Sequence, residues 1–167
     1  MGSPKIQSGQ KITPFLWFDR QAEEAARFYT SIFKKSRIVT VMRATGGAAK
    51  KTGHKAGSVL TVEFELAGQR FVALNGGPLF KFNEAVSFVV NCKTQADVDR
   101  YWDALSAGGE ERECGWLRDK FGVFWQITPS ILLKLINDPD TAKAERAFEA
   151  MLRMTRIDIK ALKDAVR

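Results

Sequence analysis

Residues 12–33 read ITPFLWFDRQAEEAARFYTSIF, and this stretch decides the fold. The apolar, β-rich run from Lys11 to Phe18 predicts a strand. It is followed by the polar Asp19-Arg20-Gln21-Ala22-Glu23-Glu24, a helix start. Ala25, Phe28, Tyr29, Ile32 and Phe33 then recur at i, i+3, i+4, i+7 and i+8, so they form one buried helical stripe. Further along, residues 84–107 read EAVSFVVNCKTQADVDRYWDALSA. They repeat the order: a strand from Glu84 to Cys92, then a helix from Thr94 to Ala107 with Val98, Tyr101, Trp102 and Leu105 as its stripe. Gly108-Gly109 closes that helix, because glycine tolerates the left-handed conformation of a helix stop.

Each strand–helix pair is followed by three further strands. In the first half these are residues 37–43 (RIVTVMR), Ser58 to Leu66 and Arg70 to Asn75, with a Gly/Lys loop after Arg43. The middle one alternates cleanly, Leu60, Val62, Phe64 and Leu66 on one face and Thr61, Glu63 and Glu65 on the other. In the second half the three are Glu110 to Cys114, Gly115 to Lys120 and Val123 to Thr128. An offset of 73 superposes Phe15 on Phe88, Ala25 on Val98, Phe28 on Tyr101, Tyr29 on Trp102 and Ile32 on Leu105. An internal repeat of this kind signals a duplicated supersecondary unit. The predicted fold is α+β: two βαβββ modules, residues 11–83 and 84–128, with a helical extension over 129–167. Residues 1–10 read as a tag-like or disordered leader. In the extension, helices are expected over Ser130 to Asn137, Ala142 to Met154 and Asp158 to Val166.

The whole chain has 167 residues, 45% hydrophobic and 27% charged, enough to bury a core. No apolar run reaches the roughly 20 residues that span a bilayer, and the start lacks a secretory apolar stretch, so a cytoplasmic protein with no membrane partner is expected. Cys92 and Cys114 form no CxxC and neither staple a secreted fold nor cage a zinc. His54 is the one histidine. The net charge of +7 is uneven: residues 1–60 hold eleven Lys/Arg against three acidic residues, and residues 61–167 hold fifteen against sixteen. The surplus centres on Lys34, Lys35, Arg37, Arg43, Lys50, Lys51 and Lys55. No aromatic residue lies between Arg43 and Lys55, so base stacking is missing and a solvated loop is expected in place of a nucleic-acid site.

The runs ITPFLWFD, EAARFYTSIF, GSVLTVEFELAGQRFVALNGGP, FKFNEAVSFVVNC and ECGWLRDKFGVFWQITP resemble the vicinal oxygen chelate superfamily, which includes glyoxalase I, extradiol dioxygenases and bleomycin-resistance proteins. Within it they are similar to the PhnB-like branch, often labelled demethylubiquinone methyltransferase. The resemblance extends over about residues 10–167 and implies that the two modules form a half-open barrel around a cleft. It also implies a homodimer and a small-molecule ligand. Superfamily chemistry usually takes a divalent metal on four ligands, one near the start of the first strand and one on the last strand of each module. Carried over, those places fall near Ile12 to Pro14, near Ala85 to Ser87, at Asn75 and at Gln126. None offers a histidine or a carboxylate, so no metal and no cofactor are expected.

Asn75 and Gln126 suggest a cleft that hydrogen-bonds a ligand, or two amides that only satisfy backbone groups; the residues leave both readings open. Leu79 stands in GGPLFKF where relatives carry His, which removes a proton-transfer group. Glu63 is the one candidate general base, against the plainer reading of a salt-bridged strand glutamate. Trp17, Phe80, Phe82, Trp116, Phe121 and Trp125 supply aromatic surface that either lines an apolar pocket or, the plainer reading at strand periodicity, belongs to the core; the resemblance puts Trp17 and Trp116 at the cleft, with Phe80 a further candidate contact. Cys114, before Gly115-Trp116, is a candidate ligand contact, with an inert buried thiol the plainer reading. His54 reads as a solvated loop residue. The methyltransferase label finds no support in the residues, since neither Gly46-Gly47 nor Gly76-Gly77 sits between a parallel strand and its crossover helix. A small-molecule-binding protein is expected first. An enzyme (lyase, isomerase or transferase) using Glu63 comes second.

Overall fold

The alternation of residues 59–66 governs the first half: Val62, Phe64 and Leu66 are buried, and Thr61, Glu63 and Glu65 lie on the opposite face. The computed structural model describes residues 10–47 and 53–167, so Lys50, Lys51 and the first nine residues lie outside what is described. In chain order the elements are β1 (Phe15–Phe18), α1 (Ala22–Ile32), β2 (Arg37–Arg43), β3 (Val59–Leu66), β4 (Gln69–Asn75), β5 (Phe88–Cys92), α2 (Gln95–Ser106), β6 (Glu110–Glu111), β7 (Trp116–Arg118), β8 (Phe124–Pro129), α3 (Ser130–Ile136), α4 (Thr141–Leu152) and α5 (Ile159–Ala165). The fold is α+β, with βαβββ repeated twice and a helical tail. The two sheets have the same order, β1-β4-β3-β2 and β5-β8-β7-β6, and neither closes on itself. In each, the outer pair β1–β4 or β5–β8 is parallel and the other pairs are antiparallel. The chain divides into two compact units, the second beginning at Phe82.

In the first unit α1 packs through small residues. Ala22, Ala25 and Ala26 are fully buried beside Tyr29, and Phe28, expected in the stripe, is only half-buried. Alanine lets the helix lie close to the sheet, where Tyr29 stacks on Phe64 at 6.2 Å and Phe64 on Phe71 at 5.4 Å between ring centroids. In the second unit Val98, Trp102 and Leu105 meet Leu117 and Ile127, all at most 1% exposed. The offset of 73 holds for the helices, where Ala25 and Val98, and Tyr29 and Trp102, are buried alike. It fails for the first strands. Leu16 and Phe18 face the core in β1, and Val90 and Cys92 do so in β5, an offset of 74. Three residues join β1 to α1 but two join β5 to α2. Since side chains alternate along a strand, that single residue puts Phe15, 59% exposed, on the opposite face from Phe88, which packs on the buried Trp125.

Three of the four strands of the second unit, β5, β6 and β7, are shorter than their sequence predicts. The expected strand from Glu110 to Cys114 stops at Glu111, because Cys114 (φ 59°) and Gly115 (φ 80°) are left-handed and end the extended run. The tail supplies what is missing. Leu132, Ile157 and Leu162 form its core, and the strap of residues 153–158 between α4 and α5 accepts backbone bonds from Cys114 N–H to Met154 O (2.7 Å) and from Gly115 N–H to Thr155 O (2.8 Å). A Cβ on Gly115 would stand 3.0 Å from both Ile127 O and Ile157 Cγ1, so only glycine lets the strap lie this close. Among the described residues no helix is long and apolar enough to cross a membrane.

Candidate functional site

Asn75 ends β4 on the α1 face of its sheet and is 7% exposed. Its Oδ1 accepts from Ala22 N–H at 2.8 Å, and its Nδ2 donates to Val59 O at 3.0 Å. Gln21, the residue before α1, makes no side-chain cap, so Asn75 satisfies the first helical N–H from 53 positions away. Gln126 is placed otherwise. It pairs in register with Trp116 and Val89, on the sheet face opposite that of Val90 and Cys92, and donates from Nε2 to Ser87 Oγ at 2.9 Å. The two amides therefore do not occupy equivalent places in the repeat: β4 Val72, the partner of Phe15, corresponds to Gln126, the partner of Val89.

The four carried-over metal positions do not fit a divalent ion. Ile12, Pro14, Ala85 and Val86 have no ligating side chain, Thr13 and Ser87 offer only neutral hydroxyls, both polar atoms of the Asn75 amide are taken by backbone groups, and Gln126 is spent on Ser87. Among the described residues no group of three or more His, Cys, Asp or Glu side chains is placed to hold a metal ion.

Other expected site residues separate between the units. In the first, Trp17 lies on the face away from α1, donates from Nε1 to Gly77 O at 2.9 Å and meets Phe80 edge-on at 5.0 Å. Its indole lies on Gly76, where a Cβ would clash with the Trp17 ring. Leu79 is 75% exposed beside it. Glu63 shares that sheet face, and its carboxylate is engaged by the Arg70 guanidinium on the neighbouring strand. His54 is half-buried and lines a cavity of about 500 Å³ with Arg20, Glu23, Lys55, Ser58 and Asn75, so it is less solvated than a free loop residue.

The second unit holds a cavity of about 590 Å³. Half-buried Trp116 and buried Phe124 form its apolar part, and exposed Glu84, Glu111, Arg112, Glu113 and Thr155 its polar part. Trp116 Cα pairs with Gln126, and Cys114 precedes it by two residues. Burial, then the Glu113 carboxylate, push the Cys114 thiol up, and burial likewise pushes Cys92 up to about 11. Both thiols stay protonated at neutral pH, so neither is poised as a nucleophile. Glu111 accepts from Trp102 Nε1 at 2.7 Å, and Arg112 is paired with Glu110 at 2.6 Å. The family resemblance marked Trp116, but the sequence reading missed Phe124, Thr155 and the glutamates around it. Glu84 and Glu113 sit outside any regular element, and Thr155 arrives from the tail, so no pattern linked them.

Residues 10–128 match the family model of 3-demethylubiquinone-9 3-methyltransferase, which leaves the helical tail outside the match. No curated protein matches the chain. Among solved structures, the chain is similar to a putative 3-demethylubiquinone-9 3-methyltransferase, PhnB protein, from Bacillus cereus, at 36% identity and a TM-score of 0.65 over 72% of this chain and 100% of that one. A protein from Pseudomonas aeruginosa shares the fold at 18% identity and a TM-score of 0.58, over 72% of this chain and 98% of that one. So does the fosfomycin resistance protein FosX from Listeria monocytogenes, at 16% identity and a TM-score of 0.52, over 77% of this chain and 97% of that one.

Proposed function

The chain belongs to the 3-demethylubiquinone-9 3-methyltransferase family, the PhnB-like branch of the vicinal oxygen chelate fold, and from that premise we propose that it is a metal-independent small-molecule-binding protein. One observation carries this reading: the second unit's cavity of about 590 Å³, with Trp116 and Phe124 offering aromatic surface and charged groups around them. That size and mixture suit a small organic ligand. Gln126 and Cys114 flank Trp116 and complete the proposed contacts, while Trp17, Phe80 and Leu79 offer a second aromatic patch in the first unit. The donor chemistry of the four carried-over positions supports metal independence. A homodimer in the cytoplasm is part of the proposal, supported by the exposed Phe15, Leu79, Phe80 and Val86.

A thermal-shift screen tests the reading, with S-adenosylmethionine, fosfomycin, divalent ions and small aromatic amines and acids. A ligand at 100 times its Kd adds about 2.7 kcal/mol of apparent stability. The expected outcome is a shift with at least one organic compound that Trp116→Ala removes. A shift confined to divalent ions, or one that Trp116→Ala leaves untouched, overturns it. The second reading is an enzyme, a lyase, isomerase or transferase such as the family's methyl-transfer description suggests. It rests on Glu63 and Arg70 lying together on the sheet face away from α1. Under that reading Glu63→Gln abolishes turnover of the compound found while leaving the melting temperature within a few degrees.

A further inference from the structure

The strap of residues 153–158 lies beyond the residues the family model matches, yet Thr155 lines the second unit's cavity. It is held there from three sides. Met154 O and Thr155 O receive the N–H groups of Cys114 and Gly115, the two left-handed residues that aim Trp116. Gln95 of α2 grips the next residues with both ends of its amide, Nε2 donating to Ile157 O at 3.1 Å and Oε1 accepting from Ile159 N–H at 2.9 Å. Arg156 reaches Asp99 (3.3 Å) and Asp103 on the same helix and lies 5.7 Å above the Trp102 ring. A chain segment fixed this firmly is a wall.

The charges around that wall have a sign. Of the carboxylates lining the cavity, Glu111 accepts only from the neutral Trp102 indole, and Glu110 beside it is shared by Arg112 (2.6 Å) and Arg118 (3.0 Å), whereas Glu84 and Glu113 form no ion pair or side-chain hydrogen bond among the described residues, so four carboxylates face two guanidiniums. A protein whose net charge is +7 thus keeps two uncompensated carboxylates beside a half-buried indole. An ammonium group is attracted both by carboxylates and by the face of tryptophan, and a carboxylate ligand is repelled by the first.

We propose that the strap completes this cavity as a ligand-contacting wall, and that Thr155, Trp116, Phe124, Glu84 and Glu113 together select a compact organic cation, an ammonium group on an apolar body. The inference rests on the cavity being the ligand site. The test uses the full chain and two probes of nearly equal size, 2-phenylethylammonium and phenylacetate, titrated against tryptophan fluorescence and the indole N–H signal of Trp116. The expected result is binding of the cation at least tenfold tighter than the anion, with the difference shrinking as salt is raised. Thr155→Trp, at an exposed position that leaves folding intact, weakens the cation at least tenfold by filling the space. Glu84→Gln combined with Glu113→Gln removes the preference for the cation. Equal affinity for the two probes, or an unchanged affinity in Thr155→Trp, overturns the inference. If neither probe moves the Trp116 signal but another compound gives a stabilisation that Trp116→Ala abolishes, the inference fails and the cavity reading stands. If no compound does so, both fail.

Discussion

The two helices that open the modules start in the same way and are capped in opposite ways. Thr94 caps α2 locally: its Oγ1 accepts from Asp97 N–H at 3.1 Å and donates to the Asp97 carboxylate at 3.0 Å, a reciprocal box within four residues. The first helix has no such residue and borrows Asn75 from the end of β4. The sheets differ in a matching sense. In the first unit β2, β3 and β4 run 7, 8 and 7 residues, and in the second β6 and β7 run 2 and 3, with the tail laid against their turn. A duplicated unit has thus found its order by two routes, one through long-range contacts inside the module and one through an added segment.

The sharpest way to break this contrast is Ile157→Ala. Its side chain is 1% exposed and sits between the tail core and Gly115, so a loss of about 2–5 kcal/mol is expected in chemical denaturation. Hydrogen exchange accelerates at Cys114 and Gly115, and the amides of β3 and β4 are the control that stays protected. Asn75→Ala comes next and reverses the pattern. It leaves Ala22 N–H and Val59 O without partners, at a cost of about 2–3 kcal/mol, with the loss read as faster exchange in α1. Should exchange rise equally in both units, the modules are not the independent cases described.

Thr94→Ala is expected to cost about 1 kcal/mol, as a lost local cap does. It also changes the acid limb of stability. The Thr94 hydroxyl, foremost among several hydrogen bonds, holds the Asp97 carboxyl below its usual range. A depressed carboxyl pKa contributes stability above its unfolded value, and that stability is lost as pH falls through the folded value. Thr94→Ala should therefore flatten the decline below about pH 4 in urea melts recorded across pH; an unchanged acid limb would show that Thr94 does not set it. The smallest effect is assigned to Arg156→Ala, whose half-exposed pairs with Asp99 and Asp103 are worth about 1 kcal/mol or less.

The repeat was legible because apolar spacing records which face of an element is buried. Tyr29 and Trp102 line up at the offset read from the letters, and the alternation around Phe64 is the alternation in the sheet. Strand parity was not legible across Asp19-Arg20-Gln21, since one extra loop residue inverts every side chain before it and leaves no mark on composition. Asn75 and Gln126 were paired through the family resemblance, and strand register separates them: Asn75 pairs with Phe18 on the core face and Gln126 with Val89 on the other. Asn75 read equally well as a ligand contact or a backbone partner, and both its hydrogen bonds go to backbone. Glu63 was legible as a polar strand residue, but its Arg70 partner depends on cross-strand register. Trp116 was marked by the family resemblance, whereas Glu84, Glu113 and Thr155 meet only through folding. The strap's role was invisible for the same reason: its partners, Gln95 and Gly115, lie far back in the chain.

The grip of Gln95 on Ile157 and Ile159 joins residues 62 and 64 positions apart. During synthesis the first module is finished once β4 has emerged, and it can mature while the ribosome is still reading. The second must wait. Its helix α2 and the Cys114–Trp116 turn are made early but keep unclaimed hydrogen-bonding groups until the strap and Ile159 leave the exit tunnel. A premature stop within α4 therefore yields one finished module joined to one that exposes its interior, a product fit for proteolysis rather than for half the work.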